Sequence, residues 1–340
     1  MTAAPPAAAT PDQPADSAGT VRPPAAPDQP AAAGAVRHPA GTATAESAGR
    51  SAAGPDGDDP RLLVDGVEVA RYRPAPRLDP RHGPRPYLHP VRTRAGTVVT
   101  DALPADHVWH LGASLAVQDV AGTNLWGGRT YVRDVGYTWR ADHGRIAHTD
   151  WLHRAPDRLA HRLEWRDPAG AVLLTERRTI AVGALPGYPD AWRLDLDYTL
   201  TAPPGRDVPL GSPATNGRPG GAGYGGFFWR AVADRPPAVF TAAGQGEAAV
   251  NGSPEPWLAL RAEAGGAAYT LVFTGLGAGD RWFVRAEMYP GVCVAFAFDR
   301  PCVVPAGGGR TGRHRVAVAD GALDRDGAAA LAAALDPERP

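Results

Sequence analysis

The sequence predicts an all-β protein: a single large antiparallel β-sandwich carried behind a disordered N-terminal tail. Three observations lead there. Apolar and polar residues alternate over long stretches, Gly (41) and Pro (36) make up nearly a quarter of the 340 residues, and one segment alone has a helical composition. Alternation with period two places successive side chains on opposite faces of a strand, and turn-forming residues at this density punctuate strands, not long helices.

Residues 1–59 are Ala, Pro, Gly, Asp, Thr and Ser with almost no large apolar side chain. Such a segment cannot bury enough surface to offset its ordering entropy, so a disordered tail is expected. Order is expected from Leu62, where Asp65-Gly66 between two apolar runs signals a hairpin, because a type I′ turn needs positive φ at both central residues. Arg158–Arg166 alternates, with Leu159, Leu163 and Trp165 on one side and Arg162 and Glu164 on the other. It turns at Asp167-Pro168-Ala169-Gly170 and returns through residues 172–182. The clearest strand holds Trp192, Leu194, Leu196, Tyr198 and Leu200 against Arg193, Asp195, Asp197 and Thr199. Further strands are expected at 96–100, 113–120, 267–274, 281–287, 292–298 and 313–319, separated by Gly, Pro, Asn and Asp clusters. About ten strands with scarcely a helix make a sandwich of two large sheets over residues 60–322. Residues 323–340 form a short, exposed helix and tail, with Asp326 as its N-cap. The Gly/Pro-rich stretch 203–226 is expected to be either a lid or disordered.

All 35 basic residues are Arg, since the chain contains no Lys, and this excludes Schiff-base lysines and a P-loop. A net charge of −1 supplies no field for holding a polyanion, so nucleic acid is not an expected partner. Cys293 and Cys302 cannot build a disulfide framework. In a tight hairpin Cys302 would pair near Phe298, not near Cys293. No leader-like segment opens the chain and no window holds 18 uncharged apolar residues, so a cytoplasmic protein without membrane contact is expected.

Chemistry concentrates in a few segments. Eight of the ten histidines fall between residues 82 and 161. In Pro104-Ala105-Asp106-His107-Val108-Trp109-His110-Leu111-Gly112, Pro and Gly bracket a short non-strand element. Within a helical or 3₁₀ turn, residues three apart share a side, so His107 and His110 would point together with Asp106 close enough to fix a tautomer. With His89 they form the candidate catalytic set, open to three readings: a metal site, a general acid or base, or structural histidines. His143, His148 and His153, five apart, suit neither a helix face nor a strand face and are expected in solvent. An aromatic and cationic group comprises Arg85, Tyr87, Arg92, Trp109, Asn124, Trp126 and Arg129. Indole faces pack on sugar C–H faces while Arg forks and Asn amides bond hydroxyls, so these residues and Asp106 are the candidate substrate-binding set. Glu176, Glu255 and Glu287 are possible acid/base partners. No cofactor is expected, and the metal set is empty.

Arg85-Pro86-Tyr87-Leu88-His89-Pro90, Gly96-Thr97-Val98-Val99-Thr100 and Asp106-His107-x-x-His110-x-Gly112, with Trp282-Phe283-Val284-Arg285 and Arg313–Val318 near the end, resemble the PmoA-like family of bacterial proteins of unknown function. The resemblance implies a β-supersandwich similar to galactose mutarotase, often placed beside sugar oxidoreductases. Members commonly carry a second His directly before the one matching His110, where this chain has Trp109, and that departure favours a stacking surface over a metal site. A membrane copper enzyme, as the family label suggests, would need membrane spans. The expected function is His-mediated acid/base chemistry on a sugar or keto-sugar: mutarotation, epimerisation or elimination. The alternatives are a non-catalytic sugar-binding module and a metal-dependent oxygenase or hydrolase.

Overall fold

The computed structural model describes residues 59–336, so all but the last residue of the expected tail lies outside the described residues. Two antiparallel sheets face each other. One has seven strands in the order Arg61–Val64, Val67–Arg73, Tyr87–Val91, Ala113–Ala116, Gly226–Arg230, Gly291–Ala295, Arg281–Arg285. The other has eight: Ala238–Thr241, Trp257–Ala264, Ala267–Thr274, Gly309–Asp320, Ala191–Thr201, Val172–Ala184, Arg158–Arg166, Arg145–Ala155. The protein is an all-β sandwich.

Local chemistry explains its elements. Asp65 and Gly66 take φ of 51° and 78°, the double positive φ that a two-residue hairpin turn requires. Trp192, Leu194, Leu196, Tyr198 and Leu200 are all buried while the residues between them are half-exposed, so this strand turns one face to the core. Rings from the two sheets meet there: Trp229 is edge-on to Phe273, and Phe227 stacks on His314 with centroids 5.5 Å apart. The buried Glu176–Arg178 pair in this layer is satisfied by hydrogen bonds, as burial demands. Glu176 accepts from Trp165 Nε1 (2.7 Å) and from Arg178 Nε (2.7 Å) and Nη2 (3.0 Å), and Arg178 Nη1 donates to Tyr72 Oη (3.2 Å).

Several expectations give way. The helix spans Arg325–Leu335, capped by Asp324 and not Asp326, and it is not exposed. Ala328, Leu331, Ala332 and Leu335 pack on the outer face of the eight-stranded sheet, against Phe240, Trp257, Ala259, Val272, Ala317 and Ala319. Burial of the two leucines contributes about 2 kcal/mol each. Residues 203–226 are ordered in part as a strand. Val208–Gly211 within them pairs with Cys302–Val304 and Asp119–Val120 in a three-stranded sheet. Cys302 therefore pairs with Leu210 and not with Phe298. Residues 96–100 make an isolated bridge, Arg92 to Val98, in place of a strand. Both cysteines are free.

The seven-stranded sheet positions the site. Phe227 and Trp229 point into the main core, so by alternation Phe228 and Arg230 emerge on the opposite face. There Ala116, Trp126, Tyr224, Phe228, Phe283, Tyr289 and Cys293 form a second apolar layer with Trp109 packed against it.

Candidate functional site

The segment 104–112 closes through two successive tight turns: His107 N–H donates to Pro104 O (3.1 Å) and His110 N–H to His107 O (2.8 Å). Each turn advances three residues, so the two imidazoles leave on one side. Their rings stack with centroids 4.7 Å apart and planes inclined by 12°. Tyr289 lies 4.8 Å from the His107 ring and 4.9 Å from the His110 ring, Phe228 is 4.8 Å from His110, and Trp109 is edge-on to His107 at 5.3 Å.

Polar contacts assign the protons. His107 Nδ1 lies 3.0 Å from Asp106 Oδ2, and Arg230 Nη2 grips both carboxylate oxygens at 3.1 and 3.0 Å. Partial burial opposes ionisation of Asp106, but the hydrogen bond from His107 and the Arg230 charge outweigh it and hold the carboxyl below its usual range. An ionised carboxylate only accepts, so His107 Nδ1 donates, and in the neutral form of this ring Nε2 carries the lone pair. Arg230 Nη1 lies 3.4 Å from His110 Nδ1, and because a guanidinium only donates, His110 accepts there and carries its proton on Nε2. Burial, followed by the charges of His107, Arg230 and Arg85, presses the His110 pKa well below its ordinary value, so this ring stays neutral. The Asp106 side chain is 44% exposed and that of His107 21%, against 2% for His110 as a residue. His107 is the imidazole of the pair that solvent or a ligand reaches.

The other candidates separate by burial. Arg85 has no exposed surface, and its guanidinium donates to Ser114 Oγ (3.1 Å) and to the carbonyls of Gly83 (2.9 Å), Trp126 (2.8 Å) and Trp109 (3.1 Å). Its donors are spent on ordering the loops. Asn124, also fully buried, accepts from the N–H groups of Trp126 and Gly127 (both 2.9 Å) and donates to Thr130 Oγ1 (2.9 Å). Trp126 is 2% exposed, tilted against Tyr224 and Phe228 at 4.6 and 4.8 Å. These three hold the site from beneath, and the expectation that they touch substrate is corrected. Gly127 and Gly128 explain the segment's composition: a Cβ on Gly128, at φ +70°, would lie 2.6 Å from the Trp109 ring. Trp109 packs onto bare backbone.

Tyr87 is buried and Arg92 Nη1 donates to Gly96 O (3.1 Å) in its own turn. His89 bonds Thr100 Oγ1 (3.1 Å), and burial, with the charges of Arg73 and Arg92, lowers its pKa to about 4. It belongs to that group and not to the stacked pair. Arg129 is exposed, 6.0 Å from the Trp139 ring. His143, expected in solvent, is buried and donates from Nε2 to Gly128 O (2.6 Å). His148 bonds His161 through Nδ1 (3.0 Å), whereas His153 is exposed as expected. Glu176 is sealed between the sheets, and the site's carboxylate is Asp106. Arg230 and Tyr289 were missed from sequence: 120 residues separate Arg230 from His110, and no spacing marks either residue. Among the described residues, no three His, Cys, Asp or Glu side chains gather as metal ligands, and no helix is long and apolar enough to cross a membrane.

An antiparallel sandwich carrying an Asp–His–Arg cluster on the outer face of one sheet is the class of protein that fold and site define. The chain belongs to a protein family of unknown function, DUF6807, whose model matches residues 60–333. Nothing in that match carries the PmoA label. No curated protein matches. Among solved structures, a putative aldose 1-epimerase from Escherichia coli K12 is similar at 11% identity and TM-score 0.35, over 78% of this chain and 99% of that one. Heparan sulfate lyase HepC from Pedobacter heparinus is similar at 9% identity and TM-score 0.25, over 53% of this chain. The match spans 22% of that lyase's length.

Proposed function

We propose that this protein acts on a carbohydrate, with His107 as the group that moves a proton. The observation that carries the reading is the orientation of His107: Asp106, held at both oxygens by Arg230, accepts the hydrogen bond from Nδ1–H, which leaves Nε2 of the neutral ring as the base on a side chain that is 21% exposed. A base so placed removes a proton from an anomeric hydroxyl, or from a carbon beside a sugar keto group, and returns it to the other face or to the ring oxygen. Arg230 contributes fixed positive charge, and its buried Nε–H has no hydrogen-bond partner in the structure, so it is free to answer charge that develops nearby. Trp109 beside His107 offers an indole surface for the apolar face of a sugar.

The test is a screen of aldoses and keto-sugars for anomer exchange, solvent deuterium uptake at carbon and bond cleavage, with calorimetry on wild type, His107→Gln and His110→Gln. Exchange or cleavage by wild type that is lost in His107→Gln, with affinity retained, is the expected result. Sugar binding with no reaction on any bound sugar, and both variants binding like wild type, would leave a non-catalytic binding module. Catalysis that survives His107→Gln would place the base elsewhere.

A further inference from the structure

On the far side of the Trp126-Gly127-Gly128 segment lies a cleft of about 900 Å³ lined by Arg77, Arg81, Trp139, Arg140, His143 and Arg145, among others. That volume falls in the range of small-molecule sites. Two features set it apart from an ordinary surface groove. Trp139 is 48% exposed, a rare state for an indole, and the guanidinium carbons of Arg81 and Arg129 lie 5.7 and 6.0 Å from its ring centroid. The charge is also unbalanced: Arg81 is matched by Asp79 (2.9 Å) and Arg140 by Asp142 (3.2 Å), while Arg77, Arg129 and Arg145 are exposed and have no carboxylate partner among the described residues. Asp167 is the single acid lining the cleft, and its Oδ1 accepts from Ala171 N–H in the adjoining turn (2.8 Å).

We infer that this cleft binds a small organic acid with one apolar face, a sugar acid or a sugar phosphate, with the indole of Trp139 under the ring and Arg77 and Arg145 on the oxyanion. The planar fork of Arg matches a carboxylate or phosphate at two oxygens, which a neutral sugar does not offer. An exposed indole bordered by guanidinium groups supplies a flat apolar surface with positive charge at its edge, which a bare inorganic anion does not use. The cleft shares none of its residues with the Asp106–His107 pair, so the inference stands whether or not His107 is catalytic. The two places are joined through one loop: His143, in the cleft wall, donates to Gly128 O, and the bare Cα of Gly128 faces Trp109.

Calorimetry and tryptophan fluorescence with glucose, glucuronate, glucose 6-phosphate and inorganic phosphate test the assignment on the full chain. Glucuronate or glucose 6-phosphate is expected to bind at least tenfold more tightly than both glucose and inorganic phosphate, and the stronger of the two tells carboxylate from phosphate. Trp139→Ala and the Arg77→Gln/Arg145→Gln double variant are each expected to weaken that binding about tenfold or more. Both alter exposed side chains, so their melting temperatures should match wild type, and His107→Gln should bind as wild type does. Equal binding of glucose and glucuronate, phosphate binding as tightly as glucose 6-phosphate, indifference to Trp139→Ala, or binding of none of the probes would each overturn the inference.

Discussion

Arg230 holds Asp106 at both carboxylate oxygens, at 3.1 and 3.0 Å, while its other terminal nitrogen reaches His110. A residue on a central strand of the seven-stranded sheet thereby fixes both ends of a surface loop. The arrangement sets the tautomers of both histidines with one guanidinium.

Asp106→Asn should separate orientation from mere presence of the imidazole. The amide can offer N–H where the carboxylate accepted, so the His107 tautomer is no longer enforced, and turnover should fall by about a hundredfold or more. Because Asp106 is 44% exposed and Asn keeps a carbonyl oxygen that can accept from Arg230, the melting temperature should move by no more than a few degrees. Unchanged turnover, measured in the exchange assay that reports wild-type activity, would remove Asp106 from the mechanism.

Trp126→Ala is expected to act on stability. The side chain fills the layer between Tyr224, Phe228 and His110, and its truncation leaves a cavity costing about 3–5 kcal/mol. Urea titration reads this directly. A cost below about 1 kcal/mol, with a selective loss of sugar affinity, would restore Trp126 as a stacking platform.

Gly128→Ala tests the seat of Trp109. Its Cβ would approach the indole to 2.6 Å at a positive φ, so the ring must move away from His107 or the loop must shift. Near-ultraviolet circular dichroism should change with a stability loss of about 1–3 kcal/mol. A spectrum superimposable on wild type would mean the loop absorbs the methyl group without moving the indole.

Stability should fall in mild acid because buried histidines stay neutral in the fold. Burial is the main cause that lowers the His314 pKa from 6.5 to about 4. Its Nδ1 lies 2.9 Å from Gly275 O and its Nε2 3.2 Å from Tyr198 Oη, which satisfies the neutral ring. Between those two values the unfolded chain binds a proton that the folded chain refuses, so stability rises with pH through this window and is fully present above it. The contribution from His314 is about 3 kcal/mol. Urea midpoints at pH 4.5 and 7 should therefore differ in wild type and differ less in His314→Gln, and equal differences in the two proteins would assign the loss to other groups.

Glu176→Ala should be among the most damaging single changes. It leaves Arg178, 1% exposed, with a buried charge and no carboxylate, at a cost of about 3–5 kcal/mol. Expression in soluble form with a melting temperature near wild type would show that Arg178 finds another route to compensation.

The alternation through Trp192–Leu200, the Asp65-Gly66 turn and the three-residue step from His107 to His110 are local regularities, and each is legible because its cause lies within a few neighbouring residues. They determined the strands, the sandwich and the shared side of the two imidazoles. Nothing local distinguishes an Arg or Trp that meets a ligand from one that closes a core. Arg85, Asn124 and Trp126 have the composition of a binding surface, yet tertiary packing buries them under the loops, because their donors match backbone carbonyls and their rings fill a layer on the sheet. The same packing brought Arg230 and Tyr289 to the histidines from distant strands and left Trp139 in the open. Burial and partnership are properties of the assembled sheets, decided by which surfaces meet, and the order of residues along one strand does not contain them.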